Sequence, residues 1–200
     1  MDRPTLFETL RKEVKTRGYD ARSRSSRVWF QGKVAELAGQ VNPNRILGDR
    51  SVKVRRGPVV GQMFMFIYDP KGKQTLPYYD KFPLVLMVDS APGGFYGLNL
   101  HYLEPQIRAA FLDKLLDLSN SKTLNLNTKL GLTYSVLKQV QRYREFKPCF
   151  KHYLSEHIQS RIAQVDGQDW VSAIFLPSED FAKVSSTKVW ADSKKEYLAS

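Results

Sequence analysis

The side chains able to carry catalysis or hold a metal in this 200-residue chain are three histidines, one cysteine and three aspartates near the ends of apolar runs. His152 and His157 stand five apart, and on a helix that spacing turns them to different faces, so no zinc pair is expected. His101, between Leu100 and Tyr102, reads as a hydrogen-bonded edge residue rather than a general base. Cys149 follows Pro148 in an apolar setting with no histidine on the same helical face, which predicts burial rather than nucleophilic use. Asp69, Asp80 and Asp89 could converge on a cation, although carboxylates in turns are common for their own sake. No Gly-x-x-x-x-Gly-Lys-Ser/Thr segment cradles a phosphate. The expectation is a protein without enzymatic activity, cofactor or metal.

Binding chemistry is better represented. Residues 1–57 hold fourteen basic and six acidic residues, 58–118 hold five and six, and 119–200 hold twelve and eight, within a net charge of +11. A basic segment beside a near-neutral, aromatic-rich middle suits a polyanion-contacting arm on a packed scaffold. The bland alternative is that the charge only keeps a small protein soluble. Arg22, Arg24, Arg27, Arg45, Arg50, Lys53, Arg55 and Arg56 are the candidate phosphate contacts. Tyr78 and Tyr79, in the aromatic stretch Leu76-Pro77-Tyr78-Tyr79-Asp80-Lys81-Phe82-Pro83, are weaker candidates for stacking on unpaired bases. Phe82 is expected to cover an open end of the scaffold.

These groups need elements to place them. Thr5 and Glu8 suggest a capping box before a helix with Leu6, Leu10 and Val14 on one face. A polar stretch through Arg22, Arg24 and Arg27 leads to a second helix from about Ser25 or Ser26, with Phe30, Val34, Leu37 and Val41 as its stripe, ended by Asn42-Pro43-Asn44. Three apolar runs, Val59–Tyr68, Phe82–Val88 and Gly94–Leu100, predict strands of an antiparallel meander, and the glycines of the third predict bending or close backbone approach. Pro105 opens a helix with Ile107, Phe111, Leu115 and Leu118 inward. After a polar loop over 120–128 come a helix through Leu132, Val136 and Val140 and another from Pro148 through Phe150, Leu154, Ile158 and Ile162. Trp170–Leu176 reads as a strand returning to the sheet, and Ser178-Glu179-Asp180 as a short helix start. The fold class expected is α+β: a small antiparallel SH3-like β-barrel with an inserted helical segment at about 104–165. A basic helical N-terminal arm occupies 1–57, the core 58–177 and a tail 178–200.

With one cysteine no internal disulfide forms, no apolar run approaches the roughly 18–20 residues of a membrane span, and Met1-Asp2-Arg3-Pro4 lacks the apolar region of a signal peptide. A soluble, intracellularly made protein is expected, with no membrane partner.

Several long segments resemble a known family. Met63–Pro70, Leu76–Val88, Gly93–Leu103, Phe146–Cys149, Asp169–Pro177, Val189–Lys194 and the Trp29-Phe30 helix look like a virion protein of contractile-tailed bacteriophages related to the T-even group. The similarity covers most of the chain from about Ser26 to Lys194. That family is the DNA end protector, a head-completion protein. The resemblance implies a protein held at the ends of the packaged double-stranded genome, shielding them from host exonuclease after injection. It also implies residence in the virion and the host cytoplasm, beside other virion proteins of the portal, neck or tail. The alternative is a tail, neck or baseplate structural subunit with no protective role. The family offers no motif of binding residues to carry over. A second likeness, to endoribonuclease toxins with SH3-like barrels, rests on Gly61-Gln62-Met63, Asp69-Pro70 and Pro83–Leu86. Those enzymes need an arginine beside the second strand, where this chain has Lys81-Phe82-Pro83.

Overall fold

Leu6, Leu10 and Val14 recur at helical spacing and all three are buried, which fixes the inner face of helix α1, Leu6–Thr16. The computed structural model of the chain describes residues 6–18, 24–37, 41–48, 52–120, 135 and 144–199. Helix α2, Arg24–Leu37, begins slightly earlier than its sequence suggests and buries Phe30 and Leu37. Asn42-Pro43-Asn44 does not end that helix but starts the next, α3, Pro43–Gly48. The Asn42 side chain accepts from the Asn44 N–H at 2.8 Å, and its carbonyl accepts from Arg45 and Ile46. Pro43 takes the first helical position, where a missing donor costs nothing.

Six strands form one antiparallel sheet in the order β1-β7-β2-β4-β5-β6. They are β1 Lys53–Arg55, β2 Met63–Met65, β4 Leu84–Ala91, β5 Gly94–Asn99, β6 Phe150–Leu154 and β7 Ile162–Val165. A separate ribbon pairs β3, Tyr79–Asp80, with β8, Phe181–Ala182. The first expected strand is shorter than its apolar run, with Tyr68 adding only an isolated bridge to Ile158. Period-2 alternation sorts β2 and its extension onto two faces. Met63 and Met65 join Leu84, Leu86 and Leu98 against the helices, in a core that also holds the buried residues of α1, α2 and α3. Phe64, Phe66 and Tyr68 join Val85, Phe95 and Tyr153 on the other face.

The sheet is open. Strands β1 and β6 are its edges, and no pairing among the described residues joins them, so the SH3-like barrel expected from the sequence is not formed and the α+β class stands. Gly94 and Gly97 do mark close approach: an added Cβ would lie 1.8 Å from the Tyr153 carbonyl oxygen and 2.2 Å from Val85 Cγ1, respectively.

Helix α4, Pro105–Asn120, follows a single 3-10 turn at Leu100–Tyr102. The expected helix through Leu132, Val136 and Val140 lies outside the described residues. The helix expected from Pro148 is instead a 3-10 segment, Arg144–Cys149, followed by β6 and β7. Trp170–Phe175, expected as a strand, is a helix with every residue buried. Ser178-Glu179-Asp180 starts no helix; the C-terminal helix runs Ser186–Ala199, with the Ser185 carbonyl accepting from Lys188 and Val189. No described helix is long and apolar enough to cross a membrane.

Arg108 ties these late elements together from a fully buried position on α4. It donates through Nε to Leu103 O (2.7 Å), through Nη1 to Ile174 O (3.2 Å) and through Nη2 to His101 O (3.2 Å). It also pairs with Glu179 at 2.5 Å and lies 5.6 Å from the Trp190 ring centroid. Burial works against the Glu179 carboxylate, yet chiefly Arg108, helped by His101, outweighs it and holds the pKa below its ordinary value.

Candidate nucleic-acid interface

Amphipathic order in α3 and the exposed edge position of β1 leave cations outward. Ile46 and Leu47 enter the core, which leaves Arg45 exposed beside them. All of β1 is exposed, and Arg56 after it is exposed as well. Lys53 and Arg55 share one face of β1 and are braced by β7. Lys53 Nζ sits 2.9 Å from Asp166 Oδ1, and Arg55 Nε donates to Gln164 Oε1 at 2.6 Å. Arg45 and Arg56 have no carboxylate partner among the described residues. The backbones of Arg24 and Arg27 lie in the first turn of α2, on a helix rather than in the polar stretch expected to precede it. Their side chains, and Arg22 and Arg50 entirely, lie outside the described residues. The structure thus leaves Lys53 and Arg55 exposed on one face of β1, with Arg56 exposed just beyond the strand.

Tyr78 and Tyr79 are elsewhere, at the β3–β8 ribbon. Tyr79 pairs with Ala182 across the ribbon, and Tyr78 packs 6.1 Å from Tyr102 and 6.4 Å from Phe181, centroid to centroid. Both are half-buried and both line a cavity of about 260 Å³. Tyr68, Tyr102, Tyr153 and Lys151 share that cavity. Lys151, on β6, holds its ammonium 4.2 Å from the Tyr102 ring centroid. Desolvation lowers the Lys151 pKa and raises those of Tyr102 and Tyr153, so the phenols remain protonated donors. Lys151 was not among the residues singled out from sequence. Its signal is a lone cation inside the apolar run Pro148–Leu154.

The other chemical candidates resolve into structure. His101 is fully buried rather than at an edge, with Nδ1 2.7 Å from Asp80 Oδ2 and Nε2 3.1 Å from Ser178 Oγ. Asp80 also accepts from the Phe82 N–H and the Asn99 amide. The order Ser–His–Asp resembles an acyl-transfer triad, but all three are buried, so a substrate has no approach to Ser178. The array instead ties β3 to the turn after β5 and to the segment after the Trp170–Phe175 helix. His152 lies on β6 and His157 in a 3-10 turn, so the helical spacing argument does not apply to them. Asp69 pairs with Lys73 at 2.8 Å, and Asp89 accepts from the Ser90 N–H. Among the described residues no three His, Cys, Asp or Glu side chains are grouped to hold a metal. Cys149 is buried as expected, and desolvation pushes its thiol pKa up to about 12.

A family model described as Phage T4 terminal DNA protecting protein matches residues 5–193. Comparison with curated proteins and with solved structures gave no match.

Proposed function

The chain belongs to the phage T4 terminal DNA protecting protein family, and from that premise we propose how it shields an end. The protein is a bacteriophage virion protein that protects genome ends. Its protection is steric and electrostatic: exposed cations neutralise backbone phosphates while the folded body covers the terminus, so that a host exonuclease cannot load. Lys53, Arg55 and Arg56, with Arg45 nearby in sequence, make the described part of the contact surface. Arg22, Arg24, Arg27 and Arg50 are further phosphate contacts on this reading, and Tyr78 and Tyr79 meet an unpaired terminal base. No bond is made or broken by the protein. It resides in the particle beside portal, neck or tail proteins and enters the host cytoplasm with the genome.

The observation that carries this reading is the exposed row on β1, in a chain whose family match spans nearly its whole length. Each phosphate neutralised on B-DNA contributes a slope of about −0.9 in log affinity against log salt. Contacts from Arg45, Lys53, Arg55 and Arg56 alone give about −3.6, or roughly a 150-fold loss over a fourfold rise in salt. The test is to bind the protein to linear duplex, measure that slope, and then add an exonuclease. Steep salt dependence with survival of the linear DNA is expected. Salt-independent affinity, or digestion at saturating protein, would overturn the proposal.

A further inference from the structure

We infer that the cavity beside β3 is a terminal-nucleotide site, which takes the last nucleotide of one DNA strand with its base among the tyrosines and its monophosphate at Lys151. This rests on the end-protection reading and supplies what that reading lacks. Arginines on an exposed strand meet backbone charge equally well anywhere along a duplex, so they position without distinguishing an end. A cavity that admits only a chain terminus does distinguish one.

Four observations converge on this ligand. The volume, about 260 Å³, falls just below the range of about 300–1,000 Å³ typical of small-ligand sites. That is the scale of a single nucleotide. The walls are phenols: the half-buried Tyr78 and Tyr79 offer ring surface on which any base stacks, and the buried Tyr68, Tyr102 and Tyr153 line the cavity behind them, a phenol hydroxyl being a donor to an anion. Lys151 is a half-buried cation whose close neighbour is a ring, and among the described residues no carboxylate pairs with it. Glu196 acts on it only from longer range. Asp80, in the same cavity wall, has its oxygens engaged by Phe82, Asn99 and His101 and does not compete. A partly desolvated, unpaired cation is stabilised when an anion enters beside it. Lastly, the lining includes a second cation, Lys71, which is exposed.

DNA ends present the matching chemistry. Cleavage of a strand by hydrolysis leaves a monophosphate on one of the two termini at each break. Its second pKa is about 6, so near neutrality it carries more negative charge than an internal phosphodiester. A terminal base pair has only one stacking neighbour and frays at low cost, which frees a nucleotide to enter.

The test uses the full chain and duplexes identical except at one end. One carries an unpaired terminal nucleotide with a 5′-monophosphate, one the same with a 3′-monophosphate, and one hydroxyls only; a covalently closed circle has no end. One monophosphate end should bind more tightly than the hydroxyl end by about 10-fold to about 150-fold, the range of a charge-assisted hydrogen bond. Lys151→Gln should erase that difference while leaving affinity for the circle unchanged. It should also fold, because it removes a partly desolvated charge. Tyr79→Leu should weaken the preference for an unpaired base. If linear DNA beats the circle but every end binds alike, with Lys151→Gln equal to the parent, the cavity inference is overturned and end protection stands. If linear and circular DNA bind alike, end protection itself fails. Should Lys151→Gln not fold, the parent protein decides: deoxynucleoside monophosphates should raise its melting temperature saturably and more than deoxynucleoside plus inorganic phosphate. No such shift overturns the inference.

Discussion

Replacing Arg108 with methionine removes the guanidinium but keeps an unbranched apolar stem in a fully buried position. Glu179, whose side chain is only 9% exposed, is left as a buried carboxylate without its cation. Breaking a buried pair from one side costs about 3–5 kcal/mol. Two carbonyls, Leu103 O and Ile174 O, also lose the donors Arg108 supplies, whereas His101 O keeps the Trp190 indole at 2.9 Å. Each orphaned acceptor adds about 1 kcal/mol or more. A loss of about 5 kcal/mol is therefore expected, comparable to the lower end of whole-domain stabilities of about 5–15 kcal/mol. Because His101 O and Leu103 O flank Tyr102, the same change should loosen one wall of the cavity. The assay is urea denaturation of the parent, Arg108→Met, Glu179→Gln and the double variant at neutral and acidic pH. The double variant should recover about 2 kcal/mol or more of the single loss, since no buried charge remains unpaired. The pH arm follows from Glu179. Its depressed pKa contributes stability above the ordinary value of 4.5 that is lost as pH falls below it. In Arg108→Met the largest opposition to burial is gone, leaving only His101 and a backbone hydrogen bond against it, so that pKa rises and the gap between variant and parent should narrow in acid. A loss under about 1 kcal/mol, or purely additive losses in the double variant, would refute the assignment of Arg108 as the anchor of these elements.

Three further outcomes are expected. Asp166→Asn should cost less than about 1 kcal/mol, since its pair with Lys53 is exposed, and should strengthen duplex binding at low salt by freeing Lys53; unchanged or weaker binding in a filter assay would count against β1 as a DNA contact. Gly94→Ala places a Cβ 1.8 Å from the Tyr153 carbonyl, so a loss of about 3 kcal/mol or more is expected by thermal melting, and a neutral result would refute the β5–β6 register. With the Cys149 thiol pushed up to about 12, on the order of one thiol in ten thousand is ionised at pH 8; alkylation followed by mass spectrometry should be slow in the native protein and fast in urea, and equal rates would refute its burial.

The parts of the fold legible in the sequence are those where a second signal backs the spacing. Leu6, Leu10 and Val14 follow a capping box at Thr5 and Glu8 and stop before Gly18, which marks a helix, and the runs of β4 and β5 carry β-branched or aromatic residues between turn signals, which marks strands. Phe150, Leu154, Ile158 and Ile162 failed as a guide because a spacing of four suits both periods: it keeps one face of a helix and, being even, one face of a strand. Trp170–Phe175 failed for another reason. A short apolar run buried on every side has no period at all, and only tertiary context makes it a helix. The open sheet was misread as a barrel because glycines forced by close approach at Gly94 and Gly97 look, in sequence, like glycines placed for bending. For the site, the exposed cations of β1 were visible as charge density. Lys151 and Arg108 were not, since a buried cation is recognised by what surrounds it. Arg108 did leave a trace, standing four and seven residues before the buried Leu112 and Leu115 on the inward face of α4.

An open sheet has a cost at its rim. Among the described residues β1 pairs only with β7, so within that set its outer N–H and C=O groups form a template on which another strand could add, and Val54 beside them is 47% exposed. Lys53, Arg55 and Arg56 surround that template with like charge, which is how edge strands are kept from pairing with one another. The cations proposed to meet DNA therefore also keep copies of the protein apart. Stripping them would expose an adhesive edge, whereas a phosphate backbone laid along them would neutralise the repulsion only where DNA is present.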